Sequence, residues 1–397
     1  MKILHVGKYY PPFHGGMETF LHELARAQVE SGLDVRVLVH NHQGRTTTTD
    51  QGDDKEIIRV GSFGTLFFTP VSPAFRSRLK QQISQFQPDI VHLHMPNPSA
   101  FWVMTVAAAH GIPWVVHWHA DVVSSALNWR VKLAYRFYRP MEQSLLKCAR
   151  RIIVTSPPYL KSSQPLAPWQ DKCRVIPLGM KDQPNIPSSG EKNTWNADAL
   201  RVLAIGRLTY YKGFEYLIRA AGKVDAIQVN LVGDGEKYEE LQRLIRSKGL
   251  EQKIKLLGKQ SGDALSHLLQ GCHCLCLPSI ERTEAFGMVL LEAARAGKPA
   301  VVTDVPGSGM SWVVEEGKTG ITVPTGNVEK LAAALQYLAT HEAECAEMGK
   351  RARKRFDTMF RIETVEKQIF ELYKDIAPTT VTGNHVPLRT HTHSRTQ

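Results

Sequence analysis

The stretch "RVLAIGRLTYYKGFEYL", residues 201–217, passes from a short apolar strand through a loop into a helix. Arg207 and Lys212 leave the sheet at its carboxyl edge just before that helix begins. Two cations beside a helix N-terminus form a site suited to a di-anion, because unpaired amides and positive charge point the same way.

The same unit repeats on both sides of it. Downstream, "IQVNLVGDG", "IKLLGK", "CHCLCLPS" and "AVVTD" are strands separated by helical stretches. Upstream, "KILHVG", "DVRVLVH", "DIVHLH", "WVVHWH" and "RIIVTS" alternate with amphipathic segments; in "METFLHELARAQVESG", Met17, Phe20, Leu21 and Leu24 fall at helical spacing. Such alternation predicts parallel sheets covered on both faces. The pattern restarts after a polar Pro/Ser/Asn-containing segment, so the expectation is an α/β protein of two doubly wound, Rossmann-like domains, 1–180 and 200–359, joined by a linker at 181–199. A helix within 360–377 is expected to cross back to the first domain, and the Thr/His/Arg-rich tail 378–397 is expected to be disordered. Ligand belongs in the cleft at the carboxyl ends of the strands.

Composition narrows the class. With 397 residues and 43% apolar content the chain suits a two-domain enzyme. "MKILHVG" carries no signal-peptide pattern and no apolar run reaches the length of a bilayer span, so a cytoplasmic location is expected. Six irregularly spaced cysteines fit a reducing compartment. Cys272, His273, Cys274 and Cys276 crowd together, but neighbours on an extended strand point to opposite faces; the stretch reads as a buried strand and no metal site is expected. The net charge of +11 is uneven: residues 1–190 carry 21 Lys and Arg against 13 Asp and Glu, so the first half is expected to meet an anionic partner.

Other loops add chemistry. In "PPFHGGMETF", Gly15 and Gly16 permit close backbone approach at a helix start, with Glu18 in its first turn. A plain turn and a dipole-favoured carboxylate explain these residues equally well. No G-x-G-x-x-G follows a strand and no Walker lysine loop occurs, which argues against a dinucleotide enzyme or a P-loop protein. In "EAFGMVLLEA", loop becomes helix, so the amides of Phe286, Gly287, Met288 and Val289 are helix-start donors for sugar oxygens or a phosphate. Glu284 hangs over that mouth, and Glu292, eight positions on, is expected ~12 Å further along the helix axis, where it can accept hydrogen bonds from a second polyol.

The "GGME" loop, "GRLTYYKG", "VGDGE" and "PS…EAFGMVLLEAARAGKPAVVTD" with its E-x7-E spacing resemble, in this order, the retaining family-4 glycosyltransferases of GT-B fold, over Met1 to about residue 375. The resemblance implies that Arg207 and Lys212 hold the diphosphate of a nucleotide-sugar donor and Glu284 the sugar hydroxyls. It further implies that the backbone from Phe286 to Val289 holds sugar and phosphate, Glu292 the ribose, and that Gly15 and Gly16 close over the phosphates. "VVHWHADVV" matches the family's strand-end histidine, with His119 the better fit and His117 two residues earlier on the same face. Ala285 stands where many relatives carry glycine, a variant resembling bacterial surface-polysaccharide mannosyl and rhamnosyl transferases, which tilts the donor towards a GDP-sugar.

No D-x-D pair occurs, so fixed cations and helix-start amides are expected to stabilise the leaving diphosphate without a metal or other cofactor. Residues 128–151 carry seven basic residues, Arg130, Lys132, Arg136, Arg139, Lys147, Arg150 and Arg151, against one acid, interleaved with apolar residues. That composition suits an interfacial helix on an anionic membrane, and the acceptor is expected to be a saccharide or lipid-linked saccharide. A sugar-nucleotide epimerase or hydrolase, or a non-catalytic nucleotide-sugar binding protein, would use the same donor site. No nucleic-acid-binding module is present, and nucleic acid is not an expected partner.

Overall fold

The computed structural model describes residues 1–52, 55–66, 69–122, 129–183, 195–196 and 198–377. The first domain threads β1 (Lys2–Val6), α1 (Gly16–Glu30), β2 (Asp34–His40), β3 (Thr48–Gly52), β4 (Lys55–Val60), the small hairpin β5 (Thr65–Leu66) and β6 (Thr69–Pro70), and α2 (Phe75–Phe86). It continues with β7 (Ile90–Met95), β8 (Trp114–Trp118), α3 (Trp129–Cys148), β9 (Arg151–Val154), α4 (Pro157–Ser162) and β10 (Cys173–Val175). Its large sheet has the order β10-β9-β8-β7-β1-β2-β4-β3. All pairs are parallel except β3 with β4, which departs from the expected purely parallel sheet. The two strands are separated by only two residues, too few for the crossover a parallel pair needs, and the polar β3 sits at the edge.

The second domain runs β11 (Leu200–Ile205), α5 (Phe214–Ala221), β12 (Ile227–Val232), α6 (Tyr238–Ser247), β13 (Ile254–Leu256), α7 (Gly262–Gly271) and β14 (Cys274–Leu277). Then follow α8 (Met288–Arg295), β15 (Ala300–Asp304), α9 (Met310–Val313), β16 (Gly320–Pro324), α10 (Val328–Thr340) and α11 (Glu342–Arg355). The sheet order is β13-β12-β11-β14-β15-β16, parallel throughout. In each sheet the order reverses at the first strand, between β1 and β7 and between β11 and β14, and these are the points where a doubly wound sheet opens a crevice.

The domains are tied where the chain crosses between them. Met180 donates its N–H to the Phe360 carbonyl at 3.0 Å and accepts from Ile362 N–H at 3.0 Å. Asp182 holds Arg353 at 2.6 Å and Arg361 at 2.8 Å beside this crossing. A wide turn at Phe356–Phe360 then releases α12 (Ile362–Lys374), which lies on α1 of the first domain: Ser31 donates to Glu366 and Gln28 to Tyr373. A continuous apolar cluster joins Phe20 and Leu21 of α1, Phe286 and Leu290 at α8, and Val365 and Ile369 of α12. The remaining linker residues 184–194 and the tail 378–397 lie outside the described residues. No helix among the described residues is long and apolar enough to cross a membrane.

Candidate active site

The second domain supplies one wall of the cleft. After β11 the chain makes a tight turn at Tyr210–Lys212 and enters α5 through Gly213 at φ 64°. This turn folds Lys212 inward, 8% exposed, where its Nζ forms an ion pair with Glu284 Oε2. Arg207 on the same loop stays exposed, and its charge reaches Lys8 and Glu18 of the first domain. Glu284 sits in the loop after β14, which is braced by Ser308 Oγ donating to the Glu284 carbonyl and Gly309 N–H donating to Ala285 O at 2.7 Å.

Helix α8 begins at Met288, with Gly287 before it at φ 83°. A Cβ at Gly287 would approach Leu277 to 3.0 Å and Leu290 to 2.9 Å, so both backbone sign and space demand glycine there. The late start corrects the expected spacing. Glu284 and Glu292 are not two turns apart on one helix; a loop separates them, and Glu292 lies only just over one turn into α8. Glu292 keeps partial access to solvent, and the protein crowded around it raises its carboxyl pKa, Arg295 pulling the other way. Phe286 and Ala285 are buried, which anchors the loop, while the first amides of α8 have no acceptor within the helix.

The first domain supplies the facing wall. Gly15 is extended and α1 starts at Gly16. A Cβ at Gly16 would come within 3.3 Å of Met288 Cγ, so the N-termini of α1 and α8 meet across the cleft. Glu18 folds back over Gly15 and is only 6% exposed; burial raises its pKa, opposed by a backbone amide and by Lys8 and Arg207. His119 is the first residue past β8, its N–H bonded to Met95 O at 2.9 Å, and its ring stacks on that of His117 at 4.4 Å. Burial pushes His119 down to about 3, so the ring is neutral.

The structure sets Gly16 against Met288, pairs Lys212 with Glu284 and brings the charge of Arg207 to Glu18, while His119 stands on the facing sheet against Phe20 of α1. It adds residues that the motifs did not single out. Asp121, two positions after His119, pairs with Arg282 of the second domain at 2.8 Å, and the Arg282 guanidinium lies 4.2 Å over the Tyr159 ring. His5, His92 and His94 join His117 and His119 on the α1 face of the first sheet, all buried. Their alternation in "DIVHLH" and "VVHWH" was a readable signal: a polar residue at every second position of a fully buried strand needs a partner.

The basic segment divides. Arg136, Arg139 and Lys147 are exposed on α3, whereas the helix ends at Cys148; Arg150 follows it, and Arg151 begins β9 rather than extending a helical face. The side chains of Arg130 and Lys132 lie outside the described residues. Leu133, Phe137 and Met141, spaced four apart on α3, are 50%, 70% and 47% exposed and form an apolar stripe beside Arg136 and Arg139.

Residues 15–179 match the family model of the glycosyl transferase 4-like domain, and residues 185–355 that of the glycosyl transferases group 1. The O-antigen chain mannosyltransferase C of Escherichia coli is 28% identical, the match covering 94% of this chain and 98% of that protein. The D-rhamnosyltransferase WbpZ of Pseudomonas aeruginosa is also 28% identical, over 91% of this chain and 92% of its own. Among solved structures, sucrose-phosphate synthase from Thermosynechococcus elongatus superposes with a TM-score of 0.79 at 21% identity, covering 94% of this chain and 98% of that one. Anabaena HepE in complex with UDP and glucose gives 0.73 at 21% identity, covering 95% and 100%. At such identity these structures speak for the fold alone, the two facing Rossmann-like domains of the GT-B arrangement.

Proposed function

The chain belongs to the group 1 glycosyltransferases, and from that premise we propose that it moves a hexose from a nucleotide-diphosphate sugar to a saccharide or lipid-linked saccharide, with retention of configuration, in bacterial surface-polysaccharide assembly. One observation carries the reading: the N-termini of α1 and α8 face each other at Gly16 and Met288, with Arg207 and Lys212 on the adjoining loop. A diphosphate beside them meets helix-start amides from both domains and cations from the second. The tilt towards a GDP-sugar rests on Ala285; the relatives named above transfer mannose and rhamnose, and the HepE complex contains UDP.

In this reading Lys212 and Arg207 take the charge that gathers on the leaving diphosphate, already oriented and needing no metal. Glu284 receives the sugar hydroxyls and Glu292 the ribose. The acceptor oxygen bonds to the anomeric carbon on the face the diphosphate leaves, and the acceptor's proton passes to the departing phosphate oxygen. His119, neutral, positions the sugar by a hydrogen bond to a hydroxyl. The apolar stripe of α3, flanked by Arg136 and Arg139, rests on an anionic membrane at the cytoplasmic face, where a lipid-linked acceptor is presented.

The test is a thermal-shift screen against UDP, GDP and ADP and their sugar conjugates, with EDTA present. At a hundredfold excess over Kd a ligand of the folded state adds about 2.7 kcal/mol. The expected result is a shift with one nucleotide series, lost in Arg207→Ala and Glu292→Ala, and a product formed only when acceptor is added. No shift with any nucleotide sugar, or turnover without acceptor, overturns the reading.

A further inference from the structure

Five histidines occupy positions that the first sheet otherwise gives to its apolar core. On β1, Ile3 faces the same side as His5; on β7, Ile90 shares a face with His92 and His94; on β8, Val115 shares one with His117 and, just beyond the strand, His119. The register sets His5 opposite His92 and His94 opposite His117. Phe20 of α1 lies against His117 at 4.9 Å and His119 at 5.7 Å and shields them from water.

Three of the five form a chain with one end. Gln28 Oε1 lies 2.7 Å from His5 Nε2, His5 Nδ1 lies 3.0 Å from His94 Nε2, and His94 Nδ1 lies 3.0 Å from His119 Nε2. At the start, Gln28 Nε2 donates to the Tyr373 hydroxyl at 3.3 Å, and that hydroxyl is also bonded to His92 Nδ1. At the end, His119 Nδ1 is buried without a partner among the described residues.

A neutral imidazole has one donor and one acceptor nitrogen, so one bond of known polarity settles every other. Gln28 spends its N–H on Tyr373 and offers its oxygen to His5. His5 therefore donates from Nε2 and accepts at Nδ1; His94 donates to it and accepts at its own Nδ1; His119 donates to that from Nε2. Burial keeps the three rings neutral: His5 is pushed down to about 4, His119 to about 3, and His94 well below its ordinary value.

We propose that Gln28 is a positioning residue for the glycosyl transfer: through His5 and His94 its carboxamide fixes the proton of His119 on Nε2, leaving Nδ1 as a bare acceptor for a substrate hydroxyl. Turned over, the amide would reverse every bond and present Nδ1–H instead, a donor in place of an acceptor. As placed, the amide gives its N–H to the Tyr373 hydroxyl, which also bonds His92 Nδ1. The tyrosine stands on α12, which crosses from the second domain, so the return of the chain's last helix supplies this amide's partner.

The same nitrogens lie within 4.8 Å of one another in two groups, His5/His92/His94 and His94/His117/His119, close enough to suggest a metal. The geometry favours the chain. In the second group the His117 ring is inclined by only 11° to His94 and 9° to His119 and bonds to neither, so its in-plane lone pairs run past theirs. Neither group includes a carboxylate to offset a buried dication.

The hydroxyl at Nδ1 rests on the donor site proposed above; the chain itself does not, and the experiment separates the two. Imidazole nitrogens are read by long-range proton–nitrogen NMR in histidine-labelled protein without ligand, because a bare nitrogen resonates far from a protonated one. Wild type is expected to show His119 Nδ1 bare and Nε2 protonated. Gln28→Met, similar in volume, and Tyr373→Phe, which removes one oxygen, are expected to mix the two forms at His119. In turnover both lower kcat on the order of tenfold with donor KM little changed, and Gln28→Glu, still an acceptor towards His5, recovers most of the loss. An unchanged His119 spectrum in both variants overturns the proposal, as does an equal loss of kcat in Gln28→Met and Gln28→Glu. Nitrogen signals that move on addition of EDTA overturn it in favour of a bound metal.

Discussion

Arg282 of the second domain reaches Asp121 of the first, Nη1 to Oδ2 at 2.8 Å, two residues beyond His119. Asp121 is shielded, its side chain 6% exposed, and its Oδ1 also accepts from Trp118 Nε1 and Ser163 Oγ, both at 2.7 Å. The pair therefore clamps the domains beside the cleft and does more than an ion pair on open surface.

Removing the arginine leaves a buried carboxylate with only neutral donors. Arg282→Ala is expected to cost about 2–4 kcal/mol, and a double-mutant cycle with Asp121→Asn should recover a coupling of at least ~1 kcal/mol. Denaturant unfolding of the four proteins measures both. Additive losses would show that the contact does not hold the domains.

Glu142 on α3 gives stability a dependence on pH. Burial, with Asp121 adding, pushes its carboxyl up from 4.5 to about 7. The folded protein thus holds this proton more tightly than the unfolded chain, so its contribution is complete below pH 4.5 and falls as pH rises towards 7. The loss is on the order of 3 kcal/mol. Glu142→Gln should remove this slope, and unfolding curves between pH 5 and pH 8, ~0.5 unit apart, will show whether it does.

His40 acts with the opposite sign. It stacks on Phe75 at 4.4 Å, fully buried, and burial lowers it from 6.5 to about 3. Its stabilisation is full above pH 6.5 and is lost as pH falls towards 3, because the unfolded chain takes up the proton first. His40→Leu is expected to reduce the acid slope by about 1.4 kcal/mol per pH unit. An unchanged slope would mean that His40 is already protonated in the fold.

Gly16 separates stability from function. Alanine is the better helix former, so Gly16→Ala should leave unfolding unchanged or shift it upward by a few tenths of a kcal/mol. Its Cβ, however, would press within 3.3 Å of Met288 Cγ, where the two helix starts meet. Donor KM is expected to rise several-fold with kcat less affected; unaltered kinetics would argue that the domains do not close over donor at this point.

The stripe on α3 is tested on vesicles. Phe137→Ser with Leu133→Ser should weaken co-sedimentation with vesicles rich in anionic lipid at low salt, while vesicles of neutral lipid bind wild type and variant poorly alike. Equal binding of the two proteins to anionic vesicles would assign the attraction to charge alone.

The elements that carry the chemistry were legible because their signals are local. "KILHV" and "RVLAI" are apolar runs that become central strands, and "GRLTYYKG" must deliver Arg207 and Lys212 to a strand end whatever else surrounds them. The antiparallel edge at β3 and the start of α8 at Met288 were less so. Both depend on how neighbouring segments compete for backbone partners, and Glu292 accordingly stands nearer the helix mouth than its spacing from Glu284 suggested.

By itself the sequence determined two doubly wound domains and their strand-end loops, since side-chain period and turn chemistry act within a few residues of their cause, and its motifs in their order carried the resemblance to the group of enzymes to which the chain belongs. Tertiary structure alone decided that Gly16 faces Met288, that Arg282 finds Asp121, and that Gln28, His5, His94 and His119 form one hydrogen-bonded line under Tyr373. Those partners stand up to 345 positions apart. Their meeting requires parallel register between distant strands and the return of α12 across the domains, and both arise from burial of surfaces that no single segment contains.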